Sequence, residues 1–514
     1  MNAFVQQHAQ HVIGLIRGWD RLRFRGTIRM LANLVGMNLF LSYTGHLLKD
    51  FGDYAQQVSR QVRGASLAVA ESAGRPVVHL DNPAINKEQM ALQIAGRDQV
   101  KQGLVAVLTA LESCDSYNIR SNRQQGLLEL HAQHRKCQHL YHYMIHPQFG
   151  WMYARLQTWF PFNLYVGLNG REWLGRQMDA AGIGYVRHDN CFVQLSDPAA
   201  AQRLLDEQVS FNWQEALAQL GRQVNPALAQ VVQGYGIGYY WSLDQSEWAS
   251  DVMFRSGEQL DRLYPNLVRQ AMENFRSPQV MSFLGRSVAR GITPRFAGEV
   301  HSEMRRRVEG TRVKHAVNHN AVKMYNKAHS ILRVETTLND VRDLQAPRLV
   351  AGKKVWKRMR KGVADVARRA EVSDASNRRY LEALAAVSTP LPLKTLSDGL
   401  SRPVSVQGRR SRGLNLLGED AALLEAVGGG EFLINGFRNR DVQAALFPQP
   451  VQDQATKRKR SGQVTRKLRL LRAHGLIHKV PHTHRYLVSD KGRQVIAALH
   501  AAREADIHKL TKAA

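Results

Sequence analysis

Cysteine is nearly absent: Cys114, Cys137 and Cys191 are the only three in 514 residues, and no two form a C-x-x-C pair. An odd, widely spaced set fits reduced thiols in a bacterial-type cytosol better than a disulfide-stapled framework. No window approaches the roughly 18 uninterrupted apolar residues that a membrane span requires, so no membrane partner is expected. The segment Met1 to His8 lacks a basic stretch followed by an apolar one, so no secretory signal is read there and a cytoplasmic location is expected. No self-similarity recurs at a period of about 20–50 residues, which argues against a solenoid. Acidic residues are also scarce, 43 Asp+Glu against 71 Lys+Arg, leaving a formal charge of +28. Such an excess predicts a polyanionic partner, with nucleic acid as the default.

What is present suits a folded protein. Hydrophobic residues at 44% and charged residues at 22% exclude wholesale disorder. At roughly 150 residues per domain the length allows about three domains. The expected fold class is multidomain α+β: a mixed α/β N-terminal body, a basic helical connector and a C-terminal winged helix. The boundaries read as 1–234 for the N-terminal domain and 235–345 for an α+β region that is either catalytic or nucleic-acid-binding. A basic helical connector follows at 346–387, a linker at 388–417 and the C-terminal domain at 418–514. Within the first stretch, spacing predicts a helix over 87–110 and short strands at 184–186 and 191–195 around His188-Asp189-Asn190. The aromatics between Tyr141 and Trp173 and from Tyr235 to Trp248 read as core, with base-stacking platforms as the alternative. Lys353, Lys354, Lys357, Arg358, Arg360 and Lys361 fall in a helical pattern whose near-uniform sign favours a phosphate-contacting surface over a solvated face of mixed charge.

The C-terminal hundred residues carry the densest pattern. Helices are expected over 419–427, stopped by Gly428-Gly429-Gly430, and over 438–447. A third is expected from Gly462 to His474, with Ser461 as N-cap after a basic loop, Lys457-Arg458-Lys459-Arg460. Val464, Leu468 and Leu471 make a core stripe, which turns Gln463, Arg466 and Arg469 outward, flanked by Lys467 and Arg472. A hairpin with cationic tip and edges (Lys479, His484, Arg485) and a last helix through Leu499 follow. This order resembles the winged helix-turn-helix family over roughly 418–507. Its sub-motifs are Arg472-Ala473-His474-Gly475-Leu476-Ile477, Arg485-Tyr486 and Asp490-Lys491-Gly492. The resemblance implies a recognition helix for the major groove, where Arg can bond bidentately to guanine and Gln to adenine. A protein-binding or RNA-binding role is the alternative.

Chemistry is sought in the middle. Lys323 to Lys327 and Ile331 to Thr337 read as an antiparallel hairpin, with Lys323 and Tyr325 on one face of the first strand and Arg333 and Glu335 on one face of the second; a register that pairs those faces brings all four onto one surface. His315 and His319 are the nearest metal-ligand candidates to join Glu335. The K-x-Y-x-K and L-R-x-E pattern over about 312–339 is similar to part of the active region of phage and plasmid rolling-circle replication initiators. That resemblance implies Tyr325 as nucleophile, Glu335 as metal ligand or base, and Lys323 or Lys327 as neutraliser of the phosphate. The family's His-hydrophobic-His triplet is missing upstream; His139, His142 and His146 are the nearest substitutes. The bland reading is a packed tyrosine and structural salt links. Glu247 and Asp251, at i and i+4 on an expected helix face, can bind Mg²⁺ or Mn²⁺, against an ordinary Asp251–Arg255 ion pair. Asp20 with Arg21, Arg23 and Arg25 reads as a strand with one cationic edge and a structural salt bridge. Gly234-x-Gly236-x-Gly238 lacks the context of a dinucleotide fingerprint.

The whole chain also resembles a broad family of uncharacterised bacterial proteins, through Phe24-Arg25-Gly26-Thr27, Leu156 to Phe162, Asn169 to Leu174 and the hairpin above. The expectation is a DNA-binding protein of bacterial or mobile-element type that nicks or processes DNA, resembling a replication initiator. Mg²⁺ or Mn²⁺ is its expected cofactor, with no organic cofactor; DNA is favoured over RNA, and a homodimer is a candidate state. The rivals are a non-catalytic DNA-binding protein or regulator, a metal-dependent nuclease and an RNA-binding factor.

Overall fold

The computed structural model describes residues 3–82, 84–232, 237–286, 299–307, 310–388, 393–406, 408–429, 432, 436–449, 451, 453–480 and 483–504. Among the described residues helix accounts for 42% and strand for 34%, so the mixed α and β content expected from the sequence is met. Chain packing divides into two units, each assembled from separated stretches: Ile16–Trp248 with Asn339–Ala370, and Met1–Leu15 with Ala249–Leu338 and Glu371–Ala514.

The first unit is built on long strands: β1 (Val12–Thr27), β2 (Val77–Leu80), β3 (Gly103–Asn122), β4 (Leu127–His146), β5 (Gly150–Gln157), β6 (Leu164–Asn169) and the first part of β9 (Tyr240–Phe254). β7 (Tyr185–His188) and β8 (Cys191–Leu195) form a separate pair, as expected. The sheet order is β9-β1-β6-β5-β4-β3-β2, antiparallel from β1 to β3 and parallel between β2 and β3. Period-two alternation explains β1: Leu22 and Phe24 are buried while Arg21 and Arg23 are exposed, and Asp20 shares the buried parity. The described residues of the aromatic-rich stretches supply core, with Phe160, Phe162, Trp173, Trp241 and Trp248 in one cluster that also holds Trp19.

Two expectations change here. The helix expected over 87–110 stops at Arg97, and β3 takes over from Gly103. Lys353 to Lys361 is not helical: β14 (Gln345–Val350) and β15 (Lys353–Arg358) form an isolated antiparallel hairpin, and helix begins only near Val366. Ala351 and Gly352 both take positive φ, +47° and +71°, the two-residue turn that matches strand twist, and the alternation Val355/Lys357 against Lys354/Trp356 then fits a ribbon.

The second unit contains the end of β9 and the strands β10 (Val300–Arg307), β11 (Gly310–Val317), β12 (Asn320–Lys327) and β13 (Ile331–Leu338), ordered β10-β11-β12-β13-β9. One face packs Val313, Val322, Met324, Leu332 and Val334 against the helices Gly257–Asn274 and Val366–Ser388, through Leu260, Tyr264, Leu267, Tyr380 and Leu384. The C-terminal stretch has its own core, which takes in Leu400, Leu414 and Leu416. Part of the stretch read as linker is thereby structured, as a helix (Leu393–Ser401) and the hairpin β16 (Val404–Val406) with β17 (Arg409–Ser411).

Candidate nucleic-acid interface

The C-terminal elements follow the order helix Ala421–Val427, helix Asn439–Leu446, helix Gln454–Ala473, hairpin β18 (Ile477–Lys479) with β19 (Tyr486–Val488), and helix Asp490–Glu504. The central helix is longer than expected. Asp453, not Ser461, is its N-cap, accepting from Ala455 N at 3.1 Å and Thr456 N at 2.8 Å, so the basic run 457–460 is helical rather than a loop. Gly475, at φ +70°, follows its end, where a left-handed residue closes the last turn. Val464, Leu468 and Leu471 are buried, the stripe the periodicity predicted. Arg458, Lys459, Arg466 and Arg469 are exposed on the side away from that stripe, Arg472 is exposed on its flank and Lys457 beyond its N-terminal end, and Gln463 and Lys467 are half-buried. The helix contains no acidic residue.

Neighbours fix this helix. Asn439 Nδ2 donates to Ser461 O at 3.0 Å and to Thr465 Oγ1 at 2.8 Å. Arg460 is partly committed, donating to Gln449 O at 2.9 Å with its guanidinium 4.9 Å from the Phe447 ring centroid. In the hairpin Lys479 and His484 are exposed, whereas Arg485 is half-buried and donates to Gly436 O at 3.3 Å. Pro481 and His482 at the tip of this hairpin lie outside the described residues, as do Gly234, Tyr235, Gly236 and Gly430.

The middle hairpin forms in the expected register: Lys323 lies opposite Glu335 and Tyr325 opposite Arg333. Arg312 and Lys314 of β11 extend the same face, opposite Tyr325 and Lys323, and Glu303 and Arg305 of β10 extend it further. Sequence reading missed these four; their own period-two spacing was the available signal. The face is internally bonded. Lys323 Nζ meets Glu335 Oε1 at 2.7 Å. Arg333, fully buried, donates Nε to Asp251 Oδ1 at 2.6 Å and Nη2 to Asp251 Oδ2 at 2.9 Å. Arg312 Nη2 reaches Glu303 at 3.1 Å. Tyr325 is half-buried, with Lys327 Nζ 5.9 Å from its ring centroid.

Several metal-ligand expectations fail on geometry. His315 sits on the pleat face opposite Glu335, bonded to Ser302 Oγ at 2.7 Å and Tyr380 Oη at 3.2 Å, and burial pushes its pKa down to about 4. His319 is in the exposed turn after β11. Glu247 and Asp251 lie on strand β9, not a helix, where four residues span about 13 Å; Asp251 pairs with Arg333 instead of Arg255. His139 and His142, an odd distance apart on strand β4, point to opposite faces. In place of the expected pair, Glu247 has a buried neighbour in the first unit: carboxylate oxygens of Asp20 and Glu247 lie within 4.8 Å of one another. Asn190 Nδ2 donates to both Asp20 oxygens at 3.1 Å, and Arg21 Nε is 3.7 Å from Glu247. Two carboxylates this close supply the hard oxygen donors that Mg²⁺ and Mn²⁺ take.

Comparison with protein-family models, with curated proteins and with solved structures found no match to this chain.

Proposed function

We propose that this chain is a DNA-binding protein that nicks or processes DNA, with the helix Gln454–Ala473 as its duplex-facing element in a winged-helix arrangement. The observation that carries the reading is the eight Lys and Arg of that helix set against no acid, six of them exposed. Arg333, a structural cation, is answered by the carboxylate of Asp251; a row of exposed cations on an acid-free helix suits a polyanion. The exposed Lys479 and His484 of the following hairpin suit adjacent phosphates.

Fluorescence anisotropy with labelled duplex, single-stranded DNA and RNA, from about 50 to 200 mM salt, tests this. Duplex affinity that falls steeply with salt is expected; RNA bound in preference to DNA, or no affinity for any polynucleotide, overturns it.

A metal-assisted cleavage reading is favoured by the paired carboxylates of Asp20 and Glu247, which would hold a divalent cation able to polarise a phosphate. A separate reading, confined to the second unit, follows from the initiator resemblance, which implies Tyr325 as the attacking group and Lys323 or Lys327 as neutraliser of the phosphate. Supercoiled DNA incubated with Mg²⁺ or Mn²⁺ separates the outcomes. A protein–DNA adduct lost in Tyr325→Phe marks transesterification, whereas cutting without an adduct, lost in Asp20→Asn and Glu247→Gln, marks hydrolysis. Binding without product leaves a non-catalytic DNA-binding protein.

A further inference from the structure

The β14–β15 hairpin combines two properties that rarely share one surface. Its tip is apolar and open to solvent: Leu349 is 78% exposed and Val350 46%, beside the Ala351-Gly352 turn. Its flanks are cationic, with Lys353, Lys354, Lys357 and Arg358 all exposed and no acid in either strand. In the register Leu349 faces Lys354 and Val350 faces Lys353, so each apolar tip residue has an ammonium group directly across the ribbon.

The base, by contrast, is secured. Arg348 forks onto the buried carboxylate of Asp365, which also accepts from Arg360 N at 2.8 Å. Arg368 donates to Gln345 O at 3.0 Å, and its guanidinium lies 5.0 Å from the Trp356 ring centroid. Met359 N donates to Leu344 O at 2.8 Å and closes the foot of the ribbon. An isolated two-stranded ribbon is marginal by itself; these contacts hold its base while its leucine-valine end stays in water, where apolar surface is costly.

We propose that this hairpin is a wedge for duplex DNA: Leu349 and Val350 enter between adjacent base pairs while Lys353, Lys354, Lys357 and Arg358 hold the flanking phosphates. The inference rests on the DNA-binding reading above and deepens it, because it adds local unstacking to binding. Apolar side chains inserted at a base step unstack and kink the duplex, and the cations beside them offset that cost through phosphate contacts. The charge selects a polyanion, and the exposed leucine-valine end selects one that has stacked, apolar faces to offer.

The full chain is mixed with fluorescein-labelled duplexes carrying 2-aminopurine at successive steps, so that anisotropy reads binding and 2-aminopurine emission reads unstacking. Wild-type protein is expected to raise the emission at one or a few adjacent positions. L349S/V350S keeps its anisotropy affinity and loses that rise, whereas K353A/K354A weakens binding and lowers the salt slope by about 2. Binding without a rise in wild type, or a rise kept by L349S/V350S, overturns the wedge and leaves the DNA-binding reading intact. No binding to any duplex overturns both. Sedimentation with phosphatidylserine vesicles is run in parallel; vesicle binding lost in L349S/V350S, with base unstacking unaffected, assigns the tip to a membrane surface and also overturns the wedge.

Discussion

Arg333 and Arg466 belong to the same unit and carry the same guanidinium, yet the fold treats them in opposite ways. Arg333 is 0% exposed, held in a bidentate pair by an equally buried Asp251. Arg466 is exposed, on a helix that contains no acid. A charge removed from water must be paired, because its desolvation costs several kcal/mol; a charge left in water needs no internal partner and is available to an external anion. Net charge alone does not separate the two. The sheet face around Lys323, Tyr325 and Glu335 is thus rich in cations that are already answered, while the helix 454–473 and the β14–β15 hairpin present theirs.

Four measurements would break or sharpen this contrast. Asp251→Ala should have the largest effect, about 3–5 kcal/mol of lost stability in urea unfolding, because Arg333 is left buried and uncompensated. A loss below about 1 kcal/mol would show that water reaches the pair. The second concerns pH. The His315 imidazole is held down at about 4 by burial, below its ordinary value of about 6.5, so the unfolded chain binds the extra proton between those two values. Its contribution is complete above about pH 6.5 and is lost as pH falls towards 4, on the order of 3 kcal/mol. The drop in urea midpoint over that window should shrink in His315→Gln, and an unchanged drop contradicts the assignment.

The third prediction turns to the exposed set. Arg466→Ala and Arg469→Ala should each cost about 1–3 kcal/mol of binding at one base position in competition assays across mutated sites. Sequence preference that survives both changes means that this helix does not read bases. The smallest effect is expected for Lys457→Ala, Arg458→Ala and Lys459→Ala. Each should change folding stability by less than about 0.5 kcal/mol and lower the salt slope by about 1, uniformly across DNA sequences. Destabilisation comparable to that of Asp251→Ala would place these cations in the same class as Arg333 and erase the comparison.

The legible parts of the sequence were the local ones. The hairpin from Lys323 to Thr337 follows from alternation over two short runs, and the stripe Val464, Leu468, Leu471 from one helical period. Glu247 and Asp251 show the limit: a spacing of four puts two residues on one side of a helix and also on one side of a strand, so the pattern cannot choose between them. The basic run Lys353 to Lys361 misled for a related reason. Lysine and arginine are good helix formers, and only the Ala351-Gly352 turn and the packing of Trp356 favour a ribbon.

By itself the sequence determined the excess of positive charge, the mixed α and β content, and the helices and hairpins whose apolar period is complete within a dozen residues. Tertiary structure alone decided which charges are spent. Asp251 answers Arg333 across 82 positions of chain, and Asp20 comes within reach of Glu247 only because β1 and β9 are neighbours in the sheet. The physical reason is that periodicity is set by the geometry of one element, whereas the partner of a buried charge is set by which distant element covers it, and no local pattern encodes that.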